Sequence, residues 1–211
     1  RRARDDLARP RPHLDSEGKL SVQLEQTGLE GLVLVSRRTH HDKRGSFSRL
    51  YSQADLAALN VPMDCLQVNH SVTDTTGTLR GMHFQYPPFA ERKLVACAVG
   101  ALWDVVVDLR PGSPTRLSHF DTVLSGNDGR SLLVPEGFAH GFMTLEPSTH
   151  VVYVSSQGHA PDFEDGLRYD DELVALPWPA DPSVISDKDA SWEPLCDRLE
   201  SLGRRLAGEP R

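Results

Sequence analysis

The stretch Thr78-Leu79-Arg80-Gly81-Met82-His83-Phe84-Gln85 sets a guanidinium, a glycine, an imidazole and a carboxamide within six residues of an otherwise apolar, strand-like run. Imidazole, with an unperturbed pKa of about 6.5, takes up and releases protons near neutral pH, so His83 is a candidate base. Taken alone it reads first as a half-buried strand histidine held by one hydrogen bond, and the residues around it decide otherwise. Asp104-Val105-Val106-Val107-Asp108 puts two carboxylates on one strand face and Val105 and Val107 on the other. Such a pair on one face is expected to be solvated, as is the turn-like His40-His41-Asp42-Lys43-Arg44-Gly45.

The elements that must position these groups are short. Apolar, β-branched runs at 65–72, 93–99, 102–109, 121–124, 131–134 and 150–155, with Gly, Pro, Asn or Asp between them, predict a β-sandwich or barrel. Leu32-Val33-Leu34-Val35 adds an earlier strand, and 53–59 one or two turns of helix ended by Asn60 and Pro62. Trp192, Leu195, Leu199, Leu202 and Leu206 recur at three- and four-residue spacing, predicting an amphipathic helix from 191 to about 206 packed on the body. The domain reading is an extended arm over 1–20, a body over 21–190 and a C-terminal helical segment over 191–211.

A chain of 211 residues suits a single domain with a substantial core. Thirty acidic against twenty-three basic residues, a net charge of -7, argue against sequence-independent nucleic-acid binding. Cys65, Cys97 and Cys196 are too widely spaced for a zinc site or a disulfide framework, and read as buried thiols in a reducing compartment. No run approaches the roughly 20 apolar residues of a membrane span. Cytoplasmic residence without membrane contact is the expectation.

Pro135-Glu136-Gly137-Phe138-Ala139-His140-Gly141-Phe142 carries a Pro-x-Gly-x-x-His spacing that resembles the second motif of the cupin superfamily. Metal-binding cupins also need paired histidines and a glutamate in the first motif, where this chain has Phe84 and Gln85 after His83. A lone imidazole and an amide are too few donors for a catalytic zinc or iron site, so no metal and no other cofactor is expected.

The ordered set Gly77 to Gln85, Lys93-Leu94-Val95, Asp104 to Arg110, Gly112-Ser113-Pro114-Thr115, Pro135 to Phe142 and Val151-Val152-Tyr153 resembles the dTDP-4-dehydrorhamnose 3,5-epimerase family over 33–189. The resemblance implies an all-β, cupin-type jelly-roll β-sandwich with a few short helices and a C-terminal helix, usually a homodimer, acting on a nucleotide-linked 4-keto-6-deoxy sugar. By that resemblance His83 is the base, Tyr153 the acid, Lys93 the cation on the oxyanion, and Asp187 the carboxylate paired with the histidine. Singly, Tyr153 would pass as a core aromatic, Lys93 as a strand-edge charge and Asp187 as a turn residue. Arg44, Phe47, Gln67, Asn69, Arg80, His140 and Glu164 fall on substrate-binding positions, the arginines suiting a diphosphate. Strict alternation sends Arg80 and His83 to opposite strand faces; for both to line one pocket, Gly81 must lie at a bulge or twist.

Two positions depart from the family pattern. Arg49 stands where a glutamate usually touches the nucleotide base, and His159 where a tyrosine usually stacks on it. Both leave the proton-transfer residues untouched and bear on nucleotide preference, with a CDP- or GDP-linked sugar as the alternative substrate. A mono-epimerase, a 3,4-ketoisomerase and a non-catalytic sugar-nucleotide-binding cupin are the competing readings; retention of His83, Lys93 and Tyr153 favours epimerisation.

Overall fold

Alternating apolar runs broken by turn residues become strands in the computed structural model, which describes Pro12, Leu14 and residues 20–209. The arm expected over 1–20 falls almost wholly outside the described residues. In chain order the elements are β1 (Val22–Gln26), β2 (Val33–Arg37), β3 (Thr39–Asp42), β4 (Gly45–Ser48), α1 (Gln53–Ala58), β5 (Gln67–Thr73), β6 (Leu79–Gln85), β7 (Lys93–Val99), β8 (Ala101–Asp108), β9 (His119–Ser125), β10 (Arg130–Val134), β11 (Phe138–Thr144), β12 (Thr149–Ser155), β13 (Glu164–Gly166), α2 (Asp187–Ala190) and α3 (Leu195–Leu206). One sheet runs β1-β2-β10-β7-β12-β5, the other β13-β6-β11-β8-β9. The two antiparallel sheets form the expected sandwich.

Three apolar clusters follow from the period-two pattern. Leu34, Val95, Val106, Leu132, Phe138, Phe142 and Val151 fill the space between the sheets. Met82, Phe84, Val105, Val107 and Ala139 point to the other side of the five-stranded sheet, under Leu195 and Leu202 of α3. Val33, Val35, Leu94, Leu133 and Val154 pack on Leu56 of α1 and Met63. Each fully buried aliphatic side chain contributes about 2 kcal/mol.

Several expectations are corrected. Asp104 and Asp108 share a face, as the alternation requires, but both are fully buried rather than solvated, because β8 is an inner strand whose two faces are both covered. The polar turn expected over 40–45 is a hairpin: Thr39 pairs with Ser48 and Asp42 with Gly45, leaving only Lys43 and Arg44 at the bend. Cys97 is buried, whereas Cys65 and Cys196 are exposed. The final helix starts at Leu195, after Pro194, since proline fits only at a helix start; Trp192 precedes it. Among the described residues no helix is long and apolar enough to cross a membrane.

Candidate active site

β6 is bent where the sequence demanded it. His83 lies opposite His140 and Arg80 opposite Phe142, so three steps on β6 face two on β11, with the irregularity at Gly81. Gly81 has φ +126°, and a Cβ there would come within 2.5 Å of Gly141 Cα. The extra residue turns Arg80 and His83 to the same side. Both line a cavity of about 430 Å³ between the sheets, together with Lys93, His140, Tyr153 and Asp189. A second cavity, of about 380 Å³, is lined by Gln67, Asn69, Glu91, His159 and Glu164. His83, Lys93 and Tyr153 line both.

The carboxylate on His83 is Asp189, not Asp187. Asp189 Oδ1 lies 2.6 Å from His83 Nε2, and Oδ2 accepts the Gly81 N–H at 3.1 Å. Two residues apart on a helical turn means about 200° of rotation, so only one of the two aspartates can face the strand. Asp189 is buried and Asp187 exposed. Ser186 caps the turn, its hydroxyl accepting the Asp189 N–H at 3.1 Å, and the segment is tied to β6 by Leu79 N–H donating to Val184 O at 2.8 Å. Burial pushes the Asp189 carboxyl up, but hydrogen bonds from His83, Gly81 and Ser186 and the His83 charge outweigh it and hold the group below its ordinary value. An ionised Asp189 keeps the proton on Nε2 and leaves the lone pair on Nδ1.

Across the cleft, Tyr153 and Lys93 belong to the other sheet, with Tyr153 paired to Val95 and Asn69 on neighbouring strands. Burial, with the Glu91 charge adding to it and Arg80 opposing, raises the Tyr153 phenol above its ordinary 10.0, so it stays a proton donor. Lys93 Nζ is 2.9 Å from Glu91 Oε1, and the Ser155 hydroxyl donates to the other Glu91 oxygen.

His140 forms a second imidazole–carboxylate pair, Nε2 lying 3.0 and 2.9 Å from the two oxygens of Asp104. Arg80 Nε donates to Thr73 Oγ1 at 3.2 Å. Gln67 donates to Asn69 Oδ1 at 2.7 Å and accepts the His159 N–H at 3.3 Å. Glu164 Oε2 holds Lys188 Nζ at 2.6 Å and stands 3.9 Å from His159 Nε2. Among the described residues no three His, Cys, Asp or Glu side chains gather as a metal ion would need.

Besides Asp187, three of the expected residues stand apart. Arg44 is paired with Asp42 on an 83% exposed side chain, Phe47 is 65% exposed, and Arg49 comes directly after β4; none lines either cavity. Conversely, the sequence reading missed Asp189, Lys188 and Glu91, and took Asp104, the partner of His140, for a solvated carboxylate. Glu91 is two residues before Lys93, a same-face spacing hidden because the segment ahead of β7 has no strand pattern.

A two-sheet sandwich whose cleft has an imidazole on one wall and a phenol and an ammonium on the other defines a cupin-like fold with titratable groups facing each other across it. A family model described as dTDP-4-dehydrorhamnose 3,5-epimerase matches residues 26–197. The chain belongs to that family and is an isomerase of that type. The Sinorhizobium fredii protein of the same description is 40% identical over 177 residues, 83% of this chain and 91% of its own. The Bacillus anthracis enzyme, solved with TDP and PPi bound, matches with TM-score 0.80 and 38% identity, over 82% of this chain and 99% of its own. The Legionella pneumophila dTDP-6-deoxy-D-glucose-3,5-epimerase, in complex with dTDP-4-keto-L-rhamnose, matches with TM-score 0.79 and 31% identity, over 84% of this chain and 96% of its own.

Proposed function

We propose that this protein inverts C3, C5 or both in a nucleotide-diphosphate 4-keto-6-deoxy sugar of the dTDP-4-keto-6-deoxyglucose type, without a cofactor. The observation that carries the reading is the placement of His83 and Tyr153 on opposite sheets, both lining the same two cavities. The C4 ketone acidifies the protons on C3 and C5. His83 removes one of them, the electron pair moves onto the C4 oxygen, and Tyr153 returns a proton to the opposite face of the carbon. Exchange with solvent then resets the imidazolium and the phenolate. Lys93 faces the developing oxyanion, and a fixed cation in a water-poor cleft is worth several kcal/mol there. Arg80 serves the diphosphate, and His140, Gln67, Asn69 and Glu164 the sugar and nucleotide.

Incubation with dTDP-4-keto-6-deoxyglucose in D₂O tests this by counting deuterium at C3 and C5. Label at both carbons identifies a 3,5-epimerase, label at one a mono-epimerase, and no label with the dTDP, CDP or GDP sugars defeats the reading. Competition among the free diphosphates reports whether Arg49 and His159 have shifted nucleotide preference. The working unit is a homodimer in this proposal, with Leu66, Val68, Val72 and Val99, exposed by 64%, 60%, 46% and 49%, as apolar surface for a second copy to cover. Sedimentation at micromolar concentration checks it.

A further inference from the structure

One short stretch of chain holds His83 from two sides. Asp189 accepts the hydrogen bond from Nε2–H, and three residues later Trp192 sets its indole against the imidazole, ring centroids 6.5 Å apart and planes at 72°. Edge-to-face contact of this kind places the positive rim of one ring on the negative face of the other. Lys188, from the same turn, carries its ammonium 5.6 Å from the indole centroid.

The indole is braced from behind. A Cβ on Gly166 would come within 2.3 Å of Trp192 Cε2, so the ring lies against bare backbone, and Gly166 is the residue of β13 that pairs with His83. The chain after Trp192 is bolted to the same strand. Arg198 Nη1 donates to Asp165 Oδ1 at 2.7 Å, its Nη2 donates to Gly166 O, and its Nε donates to Glu193 O at 3.2 Å. Arg205 stacks 3.5 Å from the centroid of Tyr86, whose hydroxyl donates to Asp165 Oδ2 at 2.6 Å.

An indole at the head of a C-terminal helix ordinarily anchors that helix in apolar core. Here the cluster under α3 is built from Leu195, Leu202, Leu199 and Leu206 and does not contain Trp192. Its ring partners are His83 and Lys188, which belong to the cleft.

We propose that Trp192 is a positioning residue for His83: with Asp189 it fixes the imidazole plane, shields the Nε2–Asp189 hydrogen bond from water, and makes the C-terminal helix part of the proton-transfer apparatus. The inference rests on the epimerase reading for its kinetic consequence and on the His83 geometry for its physical one, so the two are tested separately.

Deuterium incorporation into the 4-keto sugar is measured for wild type, Trp192→Phe, Trp192→Leu and Trp192→Ala, alongside the low-field proton resonance of His83 Nε2–H. Misplacement of a base by about an ångström lowers kcat about 10- to 100-fold, and that loss is expected in Trp192→Ala and Trp192→Leu with KM unchanged. Their low-field resonance broadens as water reaches the bond. Trp192→Phe, which keeps a ring edge, recovers most of kcat and the sharp resonance. Leucine fills space without a ring, so it carries the test should the alanine variant not fold. Unchanged kcat and resonance in Trp192→Leu, or a lower melting temperature alone, overturns the proposal. Should wild type exchange no deuterium with any of the sugars, the epimerase reading fails, and the resonance in the leucine and phenylalanine variants still decides the role of Trp192.

Discussion

His83 Nε2 lies 2.6 Å from Asp189 Oδ1, and the second oxygen of that carboxylate accepts the N–H of Gly81, two residues before His83, at 3.1 Å. One carboxylate therefore ties the imidazole to the bulge that aims it. The bulge sets where the ring points, and the carboxylate sets which nitrogen keeps the proton.

Asp189→Asn replaces an acceptor with an amide whose N–H₂ can donate to Nε2, favouring the tautomer in which Nδ1 carries the proton and no longer serves as base. Deuterium incorporation is expected to fall about 10²- to 10⁴-fold, the range general acid–base groups supply. Asp187→Asn, on the exposed side of the same turn, is expected to keep the wild-type rate. Equal losses in both variants would mean that the turn, not the pairing, matters.

The Tyr153 phenol is raised above 10.0 by burial first and then by the Glu91 charge. An acid with a raised pKa keeps its proton to higher pH, so the alkaline limb of the exchange rate is expected to lie above 10.0. Glu91→Gln removes the charge and moves that limb downward, and Tyr153→Phe abolishes proton return. Initial rates of deuterium uptake from pH 7 to 11 check the two limbs, and the configuration at the exchanging carbon checks Tyr153→Phe, which is expected to give exchange without inversion.

Gly81 and Gly141 meet back to back where β6 crosses β11. A Cβ at Gly81 would stand 2.5 Å from Gly141 Cα and 2.8 Å from His140 O, both backbone atoms, at φ +126°. Gly81→Ala must push the strands apart, at a cost of about 2 kcal/mol or more. Thermal melting should show that loss, and at temperatures where the variant is folded its exchange rate should fall about 10²-fold because Arg80 and His83 are displaced together.

The sandwich was legible because strand periodicity is local: 93–99 was read from valines and alanines and became β7 unchanged. The need for a bulge at Gly81 was legible for the same reason, since parity alone separates Arg80 from His83. What local pattern could not report was rotation and closure. Ser186-Asp187-Lys188-Asp189 offers two aspartates, and the choice between them depends on the angle at which the turn docks on β6. Asp104 and Asp108 look like a wet face until the six-stranded sheet closes over the side of β8 that carries them with Leu102 and Val106. Trp192 fits the three-four spacing of a helix that Pro194 prevents from starting so early, and its ring faces His83 only because β13 brings Gly166 beside it.

Asp108 makes the burial of that β8 face measurable. Its Oδ2 accepts from Arg110 Nη2 at 2.8 Å, Ser113 Oγ at 2.6 Å and Thr115 Oγ1 at 2.8 Å, and Oδ1 accepts from Arg110 Nε at 2.9 Å. Burial raises the carboxyl, but these bonds prevail and hold it below its ordinary 3.8. A folded pKa below the unfolded one means stability that is present above 3.8 and lost as pH falls through the folded value. Asp108→Asn removes the charge that organises Arg110, Ser113 and Thr115, a loss of about 1.5–3 kcal/mol at neutral pH. As acid protonates the wild-type carboxyl, the difference between the two proteins should shrink. Urea unfolding at pH 7 and at a series of pH values below 3.8 should show a wide gap that narrows steadily as the pH falls; a gap that stays constant would mean that the hydroxyl contacts and packing, rather than the carboxylate charge, hold the 108–115 loop.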